Sequence, residues 1–153
     1  MTKNDYYLGI ARAVSKKSTC LKKHYGVVIV KNDTILSTGY NGSPRHEPHC
    51  SVCTKHTGNK DFDEYFSCPA VHAEMNAIIS VSRNDMINAD LYLAGFKVDN
   101  NKEVLEISAV PCEICLRLIK NTGINRIINN KGVIYERFND GILRQIIEKE
   151  HCK

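Results

Sequence analysis

Apolar side chains return at Tyr7, Ala11 and Val14, with polar residues between them, and this i, i+4, i+7 spacing predicts an amphipathic helix over residues 4–17 with Thr2 or Asn4 as its N-cap. The pattern then changes period. YGVVIV (Tyr25 to Val30) is an unbroken run, Asn32-Asp33 supplies turn residues, and TILSTGY follows, which together predict a hairpin whose first strand is buried on both faces. From Asn41 to Cys68 the periodicity is lost while Gly, Pro, His and Cys accumulate, as in a long loop held by something other than a core. Ala70 to Arg83 reads as a second helix with Pro69 near its first turn, ADLYLAGFKV as a strand, and KEVLEIS as the return arm of a hairpin. Pro111 opens a further helix with Ile114, Leu118 and Ile119 on one face and Gly123 as its stop. INRIINNKGVIYERF has room only for two short antiparallel strands and a tight turn, and Gly141 to Glu150 reads as a closing helix. Helices alternating with strands around the buried VVIV and LYLA segments predict a three-layer α/β/α sandwich, formed as a single domain over residues 1–153.

Composition narrows the function classes. The longest aliphatic run, Val27 to Val30, is far short of the roughly 20 residues of a membrane-spanning helix, and no basic-then-apolar leader opens the chain. The expectation is a cytoplasmic protein with no membrane association. Seven cysteines, an odd number that includes two C-x-x-C pairs, then point to metal binding or catalysis rather than disulfides. A net charge of +4 permits an anionic substrate such as a nucleotide but is too small and scattered to argue for nucleic-acid binding. The basic run Lys16 to His24 reads as a solvated surface at a helix end.

The chemistry concentrates in SCPAVHAEMNAIIS (Ser67 to Ser80) and PCEIC (Pro111 to Cys115). His72, Cys112 and Cys115 make three ligands of the kind a catalytic zinc uses, with a fourth position left for water. Both pieces lie at helix starts, where unpaired N–H groups and the positive dipole end favour thiolate. Glu74 cannot point the same way as His72 on a regular helix, so it belongs beside the metal as a proton carrier. H-x-E followed by P-C-x-x-C is the zinc deaminase signature. A structural site from Cys50, Cys53, Cys112 and Cys115 competes poorly, since the pairs are too far apart in sequence for such a module and HAE would go unexplained. Cys20, Cys50, Cys53 and Cys68 are candidates for a second, structural zinc, with His46, His49 or His56 able to replace one thiolate. Arg45 is a candidate phosphate contact, and Tyr65, Phe66 and Phe138 could stack on a base or fill the core.

On these motifs, together with GVVIVKNDTILSTGYNGSP and HAEMNAI, the chain resembles the cytidine/deoxycytidylate deaminase superfamily over about residues 5–128, and within it the deoxycytidylate deaminases. The resemblance implies a cytidine deaminase type of sandwich with a central mixed sheet of about five strands. It implies zinc on His72, Cys112 and Cys115, with Glu74 as proton shuttle. The Ala73 N–H would receive the pyrimidine O2, a carbonyl just before Pro111 the exocyclic amine, and Asn41 the sugar. It further implies hydrolysis of dCMP to dUMP and ammonia, a homo-oligomer such as a hexamer, dCTP and dTTP as effectors, and in some members an extra zinc near the positions of Cys20 and Cys50. KVDNNKEVLEIS and the short hairpin RIINNKGVIYERF depart from the deoxycytidylate pattern, and the hairpin is more like the free-nucleoside deaminases. The competing readings are therefore a nucleoside or nucleoside-antibiotic deaminase, an enzyme acting on bases within nucleic acid, and a zinc module without catalysis.

Overall fold

The computed structural model describes residues 1–54 and 67–146. The first helix, α1 (Lys3–Ser15), begins where expected, with the Thr2 hydroxyl accepting from the Asp5 N–H at 3.1 Å and the Asp5 carboxylate accepting from the Thr2 N–H at 3.2 Å. This reciprocal capping satisfies two amides that a helix start otherwise leaves open. Strands β1 (Lys23–Lys31) and β2 (Thr34–Tyr40) form the hairpin, and Asn32 and Asp33 take the left-handed conformation its turn requires.

The remaining elements are α2 (Ala73–Ile78), α3 (Arg83–Met86), β3 (Asp90–Asp99), β4 (Lys102–Ile107), α4 (Glu113–Thr122), β5 (Arg126–Asn129), β6 (Gly132–Arg137) and β7 (Leu143–Gln145). One mixed sheet runs in the order β2-β1-β3-β5-β6-β7. β3 pairs along one edge with β1 and along the other with two partners in succession, β5 in parallel at residues 90–92 and β4 antiparallel at residues 95–99. Val28, Val30, Tyr92 and Ile128 pack with α1 on one face. Val27, Ile29, Leu91, Leu93 and Ile127 pack with α2 and α4 on the other. The alternation along β1 therefore builds two apolar layers, and the three-layer sandwich follows.

The mixed sheet agrees with the expected sandwich and has seven strands among the described residues where about five were expected, because β4 and β7 add at open edges. Other expectations are corrected. The helix expected over 70–83 is divided. Val71 pairs with Gly42 in an isolated bridge and His72 stays extended, so α2 starts only at Ala73; Ser82 then caps a separate α3 by accepting from the Asp85 N–H at 3.3 Å. The closing helix over 141–150 gives way to β7, whose Leu143 is buried while Arg144 and Gln145 are exposed, and which pairs antiparallel with β6; residues 147–150 lie outside the described residues. The hairpin reading of β5 and β6 holds, and they are antiparallel. On α4 the core-facing residues are Cys115, Leu116, Ile119 and Thr122, whereas Ile114 and Leu118 are exposed. No helix among the described residues is long and apolar enough to cross a membrane.

Candidate metal and catalytic site

Close packing of α2 on the sheet sets the position of HAE. A Cβ at Gly39 of β2 would lie 2.3 Å from the Ala73 carbonyl oxygen and 2.5 Å from the Ala77 nitrogen, so only glycine lets the helix backbone come this near. The approach is secured by polar contacts. Val71 N–H donates to the Gly42 carbonyl at 2.8 Å, Gly42 N–H to the Val71 carbonyl at 3.2 Å, and the Asn76 side-chain amide to the Tyr40 carbonyl at 2.8 Å. The entry to His72 is thereby tied to the end of β2.

PCEIC meets it from the other side. Pro111 is buried, Cys112 is the N-cap of α4, and its sulfur accepts from the Cys115 N–H at 3.5 Å. Asn129, at the end of β5, is 2% exposed; it donates to the Ala109 carbonyl at 2.9 Å and accepts from the Lys131 N–H at 2.8 Å, which pins the segment leading into Pro111.

The three candidate ligands converge. His72 Nδ1 lies 3.5 Å from Cys112 Sγ and 3.3 Å from Cys115 Sγ, and all three ligand atoms lie within 4.8 Å of one another. Tetrahedral zinc with ordinary Zn–S and Zn–N bonds needs a nitrogen-to-sulfur separation of about 3.6 Å, so the donor set fits both in kind and in spacing. Burial pushes the Cys115 thiol well above the usual cysteine range, with the charges of Glu74 and Cys112 adding to the effect. A thiolate here therefore calls for a cation, and the imidazole and second sulfur provide the rest of its seat. Glu74 is 5% exposed; desolvation raises its pKa, partly opposed by hydrogen bonds to its carboxylate, one of them with Cys115. A carboxyl in this setting can exchange protons with a group beside the metal without ligating it.

The other predicted residues fall in different surroundings. Ala73 is fully buried at the first position of α2, where backbone amides lack intrahelical partners. Asn41 is buried with its amide turned to β1, accepting from the Tyr25 N–H at 2.8 Å and donating to the Lys23 carbonyl at 2.9 Å. Arg45 is exposed on the following loop. Cys20, Cys50, Cys53 and Cys68 are all free and partly buried, and they border one cavity, but their sulfurs do not close to the span of the triad. His49 Nδ1 lies 3.2 Å from the Thr19 hydroxyl, linking the two loops around that cavity. Phe138 is exposed with the Arg144 guanidinium over its ring, while His56, Tyr65 and Phe66 lie outside the described residues.

His24 departs from the solvated reading of its basic run. It is buried, with Nδ1 3.1 Å from Glu103 of β4 and Nε2 3.1 Å from the Cys20 carbonyl. A broad cavity of about 670 Å³ lies at the far end of α4, away from the triad; the arginines lining it, Arg83 and Arg137, donate to backbone carbonyls around the end of that helix. Sequence reasoning missed Asn76 and Asn129 as supports of the segments that carry the triad. The nearest sequence signal for Asn129 was its place before the tight turn at Asn130.

Comparisons agree with the geometry. Residues 1–131 match the family described as the cytidine and deoxycytidylate deaminase zinc-binding region. The deoxycytidylate deaminase of Mycobacterium phage D29 is 34% identical over 134 residues, covering 84% of this chain and 94% of its own. That of Saccharomyces cerevisiae is 30% identical over 132 residues, covering 84% of this chain and only 38% of the yeast protein. The dCMP deaminase of cyanophage S-TIM5 in apo form shares the fold at a TM-score of 0.60 and 21% identity, over 84% of each chain, and that enzyme has also been solved in complex with dCMP and dUMP.

Proposed function

Since the chain belongs to the cytidine and deoxycytidylate deaminase family, we propose that it catalyses zinc-dependent hydrolytic deamination of a cytosine nucleotide, converting dCMP and water to dUMP and ammonia. The observation that carries this reading is the convergence of His72, Cys112 and Cys115 with the buried Glu74 at their side. The two thiolates and the imidazole would hold zinc, which when bound supplies the Lewis acidity that makes water a nucleophile near neutral pH. Glu74 takes the proton released from water, passes it to ring N3 so that C4 becomes electrophilic, and then helps to protonate the departing amine. A C4–O bond forms and the C4–N bond breaks, with the carboxyl unchanged at the end. The Ala73 N–H receives the pyrimidine O2, a carbonyl just before Pro111 receives the amine, Asn41 contacts the sugar through the N–H not spent on Lys23, and Arg45 reaches the phosphate.

The test is ammonia release from cytosine, cytidine, deoxycytidine, CMP, dCMP and dCTP at matched concentrations. Preference for dCMP supports the nucleotide reading. Equal turnover of deoxycytidine, or preference for it, rejects that reading while keeping the deaminase. A free-nucleoside deaminase is the second reading because β5 and β6 are antiparallel, as that branch would have them.

The finer assignments rest on the same premise. We infer a second, structural zinc on Cys20, Cys50, Cys53 and Cys68, supported by their shared cavity. A homo-oligomer, hexameric by resemblance, is supported by the exposed Val110, Ile114 and Leu118 around the start of α4. The free thiols suit the reducing cytoplasm. Residues 1–153 form one domain, and dCTP and dTTP are the effectors to be tried first.

A further inference from the structure

One buried amide joins the turn between β5 and β6 to the segment that enters the metal seat. Asn129 closes β5 and pairs with Gly132 across the turn, where its side-chain oxygen accepts from the Lys131 N–H at 2.8 Å. An asparagine at a tight turn commonly does this much, and an aspartate would serve as well. The amide nitrogen makes a second bond for which the turn has no use, donating to the Ala109 carbonyl, 20 residues earlier, at 2.9 Å. At 2% exposure the side chain cannot turn to solvent instead.

Ala109 is held at three points. Its N–H donates to the Ile107 carbonyl at 3.0 Å, its carbonyl accepts from Asn129, and its methyl would lie only 3.0 Å from a Cβ at Gly95, so it sits over a strand position that has no side chain. Cys112 is held by its own helix, with the Leu116 N–H donating to its carbonyl at 2.8 Å and the Cys115 N–H to its sulfur at 3.5 Å. Val110 and Pro111 span these two anchors. Proline confines the residue before it to the extended range, where successive carbonyls turn to different sides of the chain. With the Ala109 carbonyl turned to Asn129, the Val110 carbonyl is turned away from it, and among the described residues no hydrogen bond reaches it.

We propose that Asn129 is a positioning residue for the reaction, whose hold on the Ala109 carbonyl leaves the Val110 carbonyl aimed at the amine that departs from C4. The inference rests on the proposed deamination of dCMP. In that reaction C4 faces the metal seat to which Cys112 belongs, and the departing nitrogen is bonded to C4, so the unspent carbonyl two residues before Cys112 is where its N–H can be received. The contact strengthens as the nitrogen takes up a proton and leaves, since a carbonyl holds a charged N–H more tightly than a neutral one. Asn129 acts through the backbone it holds and not on the base.

The test uses the zinc-loaded full chain and reads kcat/KM for dCMP beside the inhibition constant of dUMP, which carries oxygen where dCMP carries the amine and has no N–H there to offer. Asn129→Asp keeps the oxygen that organises the turn and removes the donor to Ala109. It should lower kcat/KM for dCMP at least about tenfold, as loss of one well-placed hydrogen bond predicts, while dUMP inhibition stays within about threefold of wild type. Zinc should stay bound, because Cys112 keeps its own anchor. A merely structural role would weaken dCMP and dUMP together or prevent zinc loading, and either result would overturn the proposal. So would a fall in kcat/KM smaller than about tenfold. Should the buried carboxylate prevent folding, Asn129→Ser takes its place, since a hydroxyl can still serve the turn but is too short to reach Ala109, and the same outcomes decide. If deoxycytidine proves to be the substrate, the comparison runs with deoxycytidine and deoxyuridine. A wild-type chain that deaminates no cytosine compound would instead sink the proposed function itself, so the two failures are distinguishable.

Discussion

His72, Cys112 and Cys115 hang from two helix starts that the sheet and its apolar layers hold in place, whereas Cys20, Cys50, Cys53 and Cys68 hang from loops that surround a cavity. Both groups offer soft ligands. In the first, glycine at position 39 and the clamps from Asn76 and Asn129 bring the ligand atoms within 4.8 Å, so the seat is preorganised by folding alone. In the second, the hydrogen bonds among the loops do not draw the sulfurs together, and closing them would fall to the metal. A ligand set on rigid elements is a site for chemistry; a ligand set on loops is a cross-link whose binding free energy becomes loop stability.

The sharpest way to break this contrast is at the residue that belongs to the first region without being a ligand. Glu74→Gln should keep full zinc content and a wild-type melting temperature while turnover falls about 10²- to 10⁴-fold, as loss of a general acid-base predicts. Near-wild-type deamination would remove Glu74 from the mechanism. Metal analysis then separates the regions. Wild type should hold two zinc ions per chain, Cys112→Ser should lose the catalytic one together with activity, and Cys50→Ser should lose the other while keeping turnover within about tenfold and raising protease sensitivity in the loops. One zinc in the wild type would leave the loop cysteines as plain thiols.

A smaller effect tests whether the scaffold organises the triad. Gly39→Ala forces a methyl against the Ala73 and Ala77 backbone, and should cost about 1–3 kcal/mol in denaturant unfolding and weaken zinc retention. An unaffected metal site would show that α2 does not depend on that contact. The smallest effect lies far from both regions. Asp140 is held down to about 2 by its hydrogen bond with Arg144 and then by the Ile142 N–H, so its contribution to stability is present above the ordinary carboxylate value and disappears as pH falls through about 2. Asp140→Asn should lower the melting temperature slightly at pH 7 and leave no difference at the acid end, a profile that thermal melts across pH can check.

The triad was legible in the sequence because its parts are local. H-x-E and P-C-x-x-C each sit at a helix start, and Pro111 and Gly123 bound α4 by backbone rules that need no tertiary partner. The first hairpin was legible for the same reason, with turn residues between two runs of strand character. α3 was legible too and was missed, since Ser82 and Asp85 stand at capping distance in the chain.

The parts that escaped are those decided between segments. Local periodicity could not shorten α2, because the bridge from Gly42 holds Val71 extended. β7 forms because β6 offers an open edge, and a three-residue strand has no signal of its own. Tyr25, sixteen residues before Asn41 and seventy before Gly95, comes beside both only through the pairing of β1 with β2 and β3. The sequence by itself determined which chemistry the chain can perform, since ligand identity and helix-start geometry are encoded within a few residues. Only the tertiary structure decided what surrounds that chemistry, because strand register brings together side chains that no local spacing relates.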